Sequence, residues 1–334
     1  MNRITNRRKS EEGSALIFAL GVLIIVMAIG YSMYRGMEIE REDMLIDQYD
    51  QRAEWVAKSG IETAVAQLQT AIASGTAAEL LATPMTVDVP IYVQEKMSKV
   101  ISDAPVLDEQ YAGRASVVIA DESAKINLNL APPTVLMSVL KIDGDKARQI
   151  REQLPRIDDS APASGEDKRH WLATVEELVS YGLVTSEALT AERAADLTVH
   201  STGNPRDAGA VVNINSASSA VIEAALGVTP EVAANVIAAR PIMSLEALTA
   251  AAGKDPSGFN FKPGADDPMG LPKEISFSSR CFRITSKGTV DKLIGGDQRD
   301  VLGARSIEAV VYFPENAARR IVYWNESATP KSTN

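Results

Sequence analysis

An uncharged run of 21 residues near the N-terminus, residues 14–34, constrains this chain more than any other feature. A helix of that length reaches about 30 Å, the thickness of the hydrocarbon core of a bilayer. Basic residues precede the run and acidic residues soon follow it: Arg3, Arg7, Arg8 and Lys9 before, and Glu38, Glu40, Glu42, Asp43 and Asp47 after. Because lysine and arginine stay on the cytoplasmic side, the chain is predicted to cross a membrane once, with its N-terminus cytoplasmic.

The polar segment before the run, residues 1–13, is predicted to be a leader. It ends on Gly13, where a prepilin peptidase would cut and leave Ser14 as the methylated N-terminus of the mature protein. An ordinary secretory signal is the alternative, with its cleavage site among the small residues Ala28, Gly30 and Ser32. The apolar run is longer than the core of such a signal, which favours the prepilin interpretation.

Cleavage after Gly13 makes Phe18 the fifth residue of the mature protein. Most pilins carry glutamate at that position, where it is thought to neutralise the terminal amine of an adjacent subunit. A carboxylate within hydrocarbon is costly unless it is paired, so a subunit without one is predicted to hold an unusual place among its neighbours. The alternative is that Phe18 is simply a lipid-facing side chain.

Composition excludes several classes of function. The net charge of −10 becomes about −12 without the leader, and such a surface repels nucleic acid. The single cysteine, Cys281, excludes an internal disulfide and a cysteine-built zinc site, and it is predicted to be buried. His170 and His200 lack metal-ligand spacing and are predicted to be solvated. Because no phosphate-binding loop or nucleophile motif accompanies them, the chain is predicted not to be an enzyme.

The helical period continues past the membrane segment through residues 35–75, so one unbroken helix is predicted to end near Gly75. Residues 76–124 are predicted to hold the first strands of a small sheet, at 87–93 and 115–120. Residues 273–326 are predicted to supply its last strands, at 275–284, 307–313 and 320–324, with residues 295–297 in a long connection between the first two. Residues 327–334 are predicted to be a disordered tail.

Between these strands the chain repeats itself at an offset of 86 residues, so that 126–131 matches 212–217. Residues 125–203 and 204–253 are predicted to be two copies of one helical unit, each with two asparagines before its first helix: Asn127 and Asn129, and Asn213 and Asn215. These side chains are predicted to cap the helices that begin near Pro132 and Ala217, because helix N-termini leave amide donors without partners.

The repeats resemble helix-hairpin-helix modules, which hold a DNA backbone on the amides of a glycine-rich turn. The corresponding turns here, residues 141–144 and 227–230, lack paired glycines, and Asp143, Asp145 and Glu231 place negative charge where a phosphate would lie. The repeats are therefore predicted to share the fold of these modules without their binding site.

An acidic loop follows within the predicted linker, residues 254–272. Asp255, Asp266 and Asp267 are its candidates for calcium, since carboxylates and carbonyls are the ligands of that ion. Their spacing is not that of an EF-hand, and a solvated loop is the alternative. No metal site and no other cofactor is therefore predicted.

Taken in order along the chain, these features resemble the general secretion pathway protein K family, the large minor pseudopilins of bacterial type II secretion. The resemblance lies in the Gly13–Ser14 junction, the apolar Phe18, the helix motif at 52–64, Asp121-Glu122 before the first asparagine pair, the second pair, and the closing motif at 320–324. It implies an α+β fold: a pilin-like N-terminal transmembrane helix and a small antiparallel sheet, interrupted by an insertion of two helix-hairpin-helix-like (SAM-like) repeats.

The resemblance also implies a function and a location. The expected protein caps the tip of the pseudopilus and helps to initiate its assembly, anchored in the bacterial inner membrane with its bulk in the periplasm. Its expected partners are the other minor pseudopilins of a tip complex, the major pseudopilin, the inner-membrane assembly platform and the prepilin peptidase, and not nucleic acid. The alternatives are a membrane-tethered helix-hairpin-helix DNA receptor and a minor pilin of a type IV pilus.

Overall fold

The first helix, α1, spans Ile4–Ser74 in a computed structural model that describes residues 4–81, 84–93, 106–107, 111–154, 171–200, 212–260, 275–295, 298–314 and 318–328. It is unbroken over 71 residues. The helix ends where Gly75 takes a φ of +76°, a left-handed conformation that glycine adopts without a steric penalty. The predicted continuation of the membrane helix, and its end near Gly75, are both confirmed.

The N-terminal part of the sheet follows. Helix α2 (Ala77–Leu81) leads into β1 (Met85–Val89), β2 (Tyr92–Val93), β3 (Val106–Leu107) and β4 (Tyr111–Asp121). The single strand predicted at 87–93 is wrong, because Pro90 interrupts it and β2 pairs with β3 instead of joining the main sheet. The strand predicted at 115–120 is confirmed within the longer β4.

The insertion occupies the chain from the end of β4 to the start of the next sheet strand. Its first copy contains the 3-10 turn Glu122–Ala124, β5 (Ile126–Asn127), α3 (Pro133–Leu140), α4 (Gly144–Gln153), α5 (Glu177–Ser180), α6 (Ala191–Ala195) and β6 (Leu197–Thr198). Its second contains β7 (Val212–Asn213), α7 (Ser219–Leu226), α8 (Pro230–Ala238), α9 (Leu245–Ala252), the 3-10 turn Pro256–Gly258 and β8 (Ile275–Ser276). In each copy a two-residue strand opens the unit and pairs in parallel with another that closes it.

The sheet is completed by β9 (Cys281–Gly295), β10 (Gln298–Tyr312) and β11 (Arg320–Ala328), in the antiparallel order β1-β4-β9-β10-β11. The strand predicted at 275–284 is wrong, since its first two residues belong to the insertion as β8. The long connection predicted around residues 295–297 is also wrong, because β9 and β10 pair antiparallel along their length, with Gln298 opposite Gly295, and residues 296–297 lie outside the described residues. Polar residues on the open face of these strands give their sequence the pattern of a loop. The strand β11 also includes Ser327 and Ala328, which were predicted to be disordered.

Helix α1 lies on one face of the sheet at unusually close range. A side chain at Gly288 of β9 would collide with the α1 backbone at Ala53 and Ala57, and one at Gly60 of α1 would collide with Ser286 and Ala115. The small residues on this face of α1 therefore allow the helix backbone to approach the backbone of β9 closely. The contact buries the α1 face that includes Val56, Ala64 and Leu68.

The buried apolar residues form two separate clusters. One joins α1 to the sheet, and the other fills the insertion and includes both repeats. The predicted α+β architecture, with a long helix, a small antiparallel sheet and a two-repeat helical insertion, is confirmed. The insertion has a core of its own, so its orientation on the sheet depends on what lies between the two cores.

The path of β4 fixes where the insertion lies. This strand starts at Tyr111, whose hydroxyl is 3.2 Å from that of Tyr49 on α1, and it ends at Asp121. Gly60, eleven residues further along α1, is already beside Ala115 and Val117. The chain therefore enters the insertion at the end of the sheet opposite to the uncharged segment of α1.

Candidate functional site

The N-terminal half of α1 extends beyond the sheet and exposes its apolar side chains. Its most hydrophobic window has a mean hydropathy of 2.2 and contains no buried residue, so α1 is long and apolar enough to cross a membrane. Ile17 and Phe18 are 74% and 75% exposed. A signal sequence meets the same criterion, so cleavage between Gly13 and Ser14 stays a prediction. Both residues lie within α1, and Phe18 lies about one turn after Ser14.

At the other end of the sheet, Asp121 is the last residue of β4 and connects this strand to the second repeat. The residue is 7% exposed, and its carboxylate accepts hydrogen bonds from the Ser123 amide (2.8 Å), the Asn213 side chain (3.4 Å), and the hydroxyls of Ser216 and Ser279. All four donors are uncharged. Burial raises the pKa of Asp121, and the hydrogen bonds oppose this only in part.

The next residue, Glu122, connects the first repeat to the sheet and is fully buried. It accepts hydrogen bonds from Lys125 Nζ at 2.7 Å, from Arg283 Nε at 2.7 Å and from the Thr198 hydroxyl. Burial raises the pKa of Glu122, but the hydrogen bond from Arg283 and the charges of Lys125 and Arg283 outweigh this effect and lower it to about 2. Arg283 also pairs with Glu308 of β10. We call Asp121, Glu122 and their partners the joint.

A cleft of about 300 Å³ opens beside the joint, between the first repeat and the open face of the sheet. The ring of His200 lies there, 5.1 Å from the Tyr323 ring, so the prediction that His200 is solvated is wrong. Burial and the nearby charge of Arg283 lower the pKa of His200. Cys281 is fully buried as predicted, and its thiol lies 2.7 Å from the His200 carbonyl oxygen. His170 lies outside the described residues.

The four predicted asparagine caps are wrong. Helix α3 begins after Pro132 with no side-chain cap, and α7 is capped by Ser218. Prolines and serines nearer to the helices take the terminal positions, so the asparagines stabilise turns and loops instead. Asn127 and Asn213 each accept a hydrogen bond at 3.0 Å from the amide two residues later.

The second asparagine of each pair brackets a distant loop. Asn129 donates to the Leu172 carbonyl (3.0 Å) and accepts from the Leu172 amide (2.9 Å). Asn215 bonds Ile242 in the same way, at 2.8 Å for both bonds. The two copies therefore share the same pair of hydrogen bonds between an asparagine side chain and a distant loop. These bonds are structural, and they leave the side-chain amide atoms of Asn129 and Asn215 occupied.

The hairpin turns of the two repeats differ at the helix N-termini that follow them, because Asp143 caps α4 whereas α8 has no side-chain cap. The side chain of Asp143 accepts from the Lys146 amide and so caps α4 itself. In the second repeat, the corresponding turn brings Lys254 Nζ to 2.8 Å from the Gly227 carbonyl oxygen. The carboxylate of Asp143 occupies the hairpin turn of the first repeat, so a phosphate would be repelled there.

The acidic loop is described only in part. Asp255 accepts from the Ser257 amide at 2.9 Å and begins the 3-10 turn, while Asp266 and Asp267 lie outside the described residues. Within the described ranges, no three acidic, histidine or cysteine side chains lie close enough to hold a metal ion.

Sequence reasoning identified Asp121 and Glu122 as part of a motif but missed the joint that they form. Their partners Thr198, Ser279 and Arg283 lie 76 to 161 residues away along the chain. One signal was present in the sequence: two adjacent carboxylates directly follow the strand predicted at 115–120.

Comparison with known proteins finds similarity among solved structures. No protein-family model matches the chain, and no curated protein matches it by sequence. Among solved structures, the chain is similar to one chain of the GspK-GspI-GspJ complex from the Type 2 Secretion System of enterotoxigenic Escherichia coli. The match has 14% identity and a TM-score of 0.40, and it covers 88% of this chain and 99% of that chain.

Proposed function

We propose that this chain is a non-enzymatic minor pseudopilin of a type II secretion system, which caps the pseudopilus tip and helps to initiate its assembly. The observation that carries the proposal is the position of the insertion. It has its own core and lies at the end of the sheet opposite to the apolar half of α1. In a filament built from such helices, another subunit stacked directly above would collide with it.

The apolar half of α1 supports membrane anchoring and helix-to-helix association. Its exposed side chains include no charge between residues 17 and 34, so contacts within the bilayer would come from helix packing. Phe18 offers no carboxylate to the terminal amine of a neighbouring subunit. A subunit with no neighbour above it has no use for that carboxylate, which agrees with a place at the tip.

The same reasoning gives the proposed partners and location. The N-terminus would be cytoplasmic, where the prepilin peptidase cuts after Gly13 and methylates Ser14, and the sheet and insertion would be periplasmic. The direct partners would be the other minor pseudopilins, with the major pseudopilin below them and the assembly platform in the inner membrane. Export that fails when the gene is deleted, while pilus-dependent movement continues, would separate this system from a type IV pilus.

Excision of the insertion tests the capping role. Asp121 and Phe282 face each other at the ends of β4 and β9, so replacing residues 122–281 with Asn-Gly would join these strands by a two-residue hairpin turn. The expected variant retains α1 on the sheet, which resistance to proteolysis would verify. Immunogold labelling should then find wild-type protein at one end of pseudopili and the variant along their length. A folded variant that remains only at the end would contradict capping by the insertion.

A further inference from the structure

The two edges of the main sheet differ in a way that matters for association. One edge strand, β1, has five residues and lies between Pro84 and Pro90, with Asp88 exposed on it. The other, β11, has nine residues and includes Ile321, Val322, Tyr323 and Trp324 without any proline. Proteins that avoid edge-to-edge pairing shorten such strands or interrupt them with proline and charge. Both edge strands carry charge, Asp88 on β1 and Arg320 and Glu326 on β11, so the edges differ in length and proline: β1 is short and flanked by prolines, and β11 is neither.

The outer edge of β11 offers backbone hydrogen-bonding groups. Within the part of the chain that the structure describes, no strand pairs with that side of β11. About half of the N–H and C=O groups of an antiparallel edge strand point away from the sheet. A strand of another chain can satisfy these groups by adding to the sheet.

Exposed large apolar residues line the same edge where it meets α1. Trp55 of α1 is 69% exposed, and Ile321 and Trp324 of β11 are 50% and 37% exposed. Lys58 connects them, because its Nζ lies 5.4 Å from the centre of the Trp55 ring and 3.2 Å from Glu326, which accepts from Trp324 Nε1 at 2.8 Å. We call Trp55, Lys58, Ile321, Trp324 and Glu326 the seam.

Distance and charge exclude two other occupants of the seam. Trp55 lies 21 residues beyond the end of the uncharged run, which places it roughly 30 Å further along the helix and outside the headgroup layer. The charges near the seam are already balanced, since Lys58 pairs with Glu54 and Glu326, and Arg319 pairs with Glu62 at 2.6 Å. Neither a lipid surface nor a strongly charged ligand fits such a site. Exposed tryptophans with a neutral surround are typical of the centres of protein interfaces.

We propose that β11 and the seam dock an extended strand of a neighbouring subunit, which becomes the sixth strand of the sheet. The added strand would place alternate apolar side chains against Trp55, Ile321 and Trp324. Its backbone would bond the outer groups of β11. That the neighbour is another minor pseudopilin rests on the proposed function, whereas the pairing of a strand with β11 rests on the two edges and the seam.

Hydrogen exchange on the full chain in detergent tests this docking. The chain would be measured alone and after co-purification with the other minor pseudopilins of the same secretion system. The outward-facing amides among residues 320–328 are expected to exchange at least about tenfold more slowly in the complex, because these amides gain partners only when a strand is added, whereas the others already pair with β10. The amides of β1, residues 85–89, provide the internal control and should not change.

A matched pair of variants isolates the edge. Ile321→Lys places a charge on β11, and Thr86→Lys places the same charge on β1, where Thr86 is also exposed. Ile321→Lys is expected to weaken the complex about tenfold or more, and Thr86→Lys to leave the affinity within about twofold. Trp55→Ala should act like Ile321→Lys, whereas Met243→Ala, at a residue 76% exposed on the insertion, should be neutral.

The outcomes separate the two proposals. A complex that forms with unchanged exchange in β11 would overturn the docking inference and leave the proposed function intact. Protection of β11 that appears without partners and increases with protein concentration would make a second copy of this chain the occupant, which also overturns it. Failure of any complex to form would count against both proposals.

Discussion

The two cores of this molecule hold their elements together by different means. In the α1–sheet core, backbone meets backbone, because Gly60 and Gly288 leave no side chain between helix and strand. In the insertion, larger side chains such as Leu136, Leu140 and Ile150 fill the space between helices, and Asn129 and Asn215 fasten the loops. Apolar burial is non-directional, so it stabilises each core without fixing their mutual orientation. The polar joint, with its directional bonds, supplies that orientation.

The sharpest test of this contrast is Arg283→Met. The change removes the guanidinium that bonds Glu122 at 2.7 Å and leaves a fully buried carboxylate with Lys125 as its only cationic partner among the residues that bond it. Breaking a buried ion pair from one side typically costs about 3–5 kcal/mol of the free energy of unfolding. Chemical denaturation followed by tryptophan fluorescence would measure the loss.

The three tryptophans show where that loss occurs. Trp171 lies in the insertion, while Trp55 and Trp324 lie on the α1–sheet unit. If the joint couples the two cores, the wild type should unfold in one transition. Arg283→Met should then unfold in two, one reported by Trp171 and the other by Trp55 and Trp324. A single shared transition in the variant would mean that the two cores are coupled by contacts other than the joint.

The close approach in the α1–sheet core predicts a second large effect, for Gly288→Ala. The added methyl group would collide with the α1 backbone at Ala53 and Ala57, which cannot yield as a flexible side chain does. Overpacking of this kind costs about 1–3 kcal/mol. Thermal unfolding would measure the change, and Gly144→Ala in the insertion is the control, since its nearest contact is an ordinary 3.8 Å to Met137 Sδ. Equal effects at the two glycines would contradict the contrast.

The hydrogen bonds of Asn129 within the insertion predict that Asn129→Ala lowers the free energy of unfolding by a similar or smaller amount than Gly288→Ala. The variant would leave the buried amide and carbonyl of Leu172 without this partner, which costs about 1–3 kcal/mol. Because Trp171 precedes Leu172, its fluorescence should shift in the native state. Asn129→Asp retains the acceptor but replaces the donor with a buried carboxylate oxygen that faces the Leu172 carbonyl oxygen, so at neutral pH it should recover none of the loss. A fluorescence spectrum unchanged in Asn129→Ala would mean that the loop does not depend on this side chain.

Sequence reasoning reached the elements more readily than their junction. The uncharged run, the steps of three and four residues along α1 and the 86-residue offset are local patterns, and each predicted an element that the structure contains. The hairpin of β9 and β10 was missed because polar residues such as Lys287 and Thr289 occupy its open face. The asparagine roles were misassigned because Leu172 and Ile242 lie 43 and 27 residues away from their partners.

The smallest expected effect is a dependence on pH near neutrality, and it comes from His200. Burial and the charge of Arg283 lower the pKa of His200 in the folded protein, while Glu122 and Glu308 oppose that shift. Since the unfolded chain then binds a proton more readily, stability should fall as the pH decreases below about 6.5. Unfolding experiments between pH 7 and pH 5 would measure this slope, and His200→Gln should flatten it.

Two carboxylates of the joint also have shifted pKa values, so their effects on the pH dependence of stability must be distinguished from that of His200. The pKa of Glu122 is about 2, so its contribution is lost only as the pH falls from about 4.5 towards 2. Asp121 acts with the opposite sign: its raised pKa means that the folded state binds a proton more readily, so its contribution decreases as the pH rises. Asp121→Asn should therefore steepen the loss between pH 7 and pH 5, or leave it unchanged if Asp121 titrates below that range. If Asp121→Asn abolished the slope and His200→Gln retained it, the pH dependence of stability would belong to Asp121, and the role of His200 would be refuted.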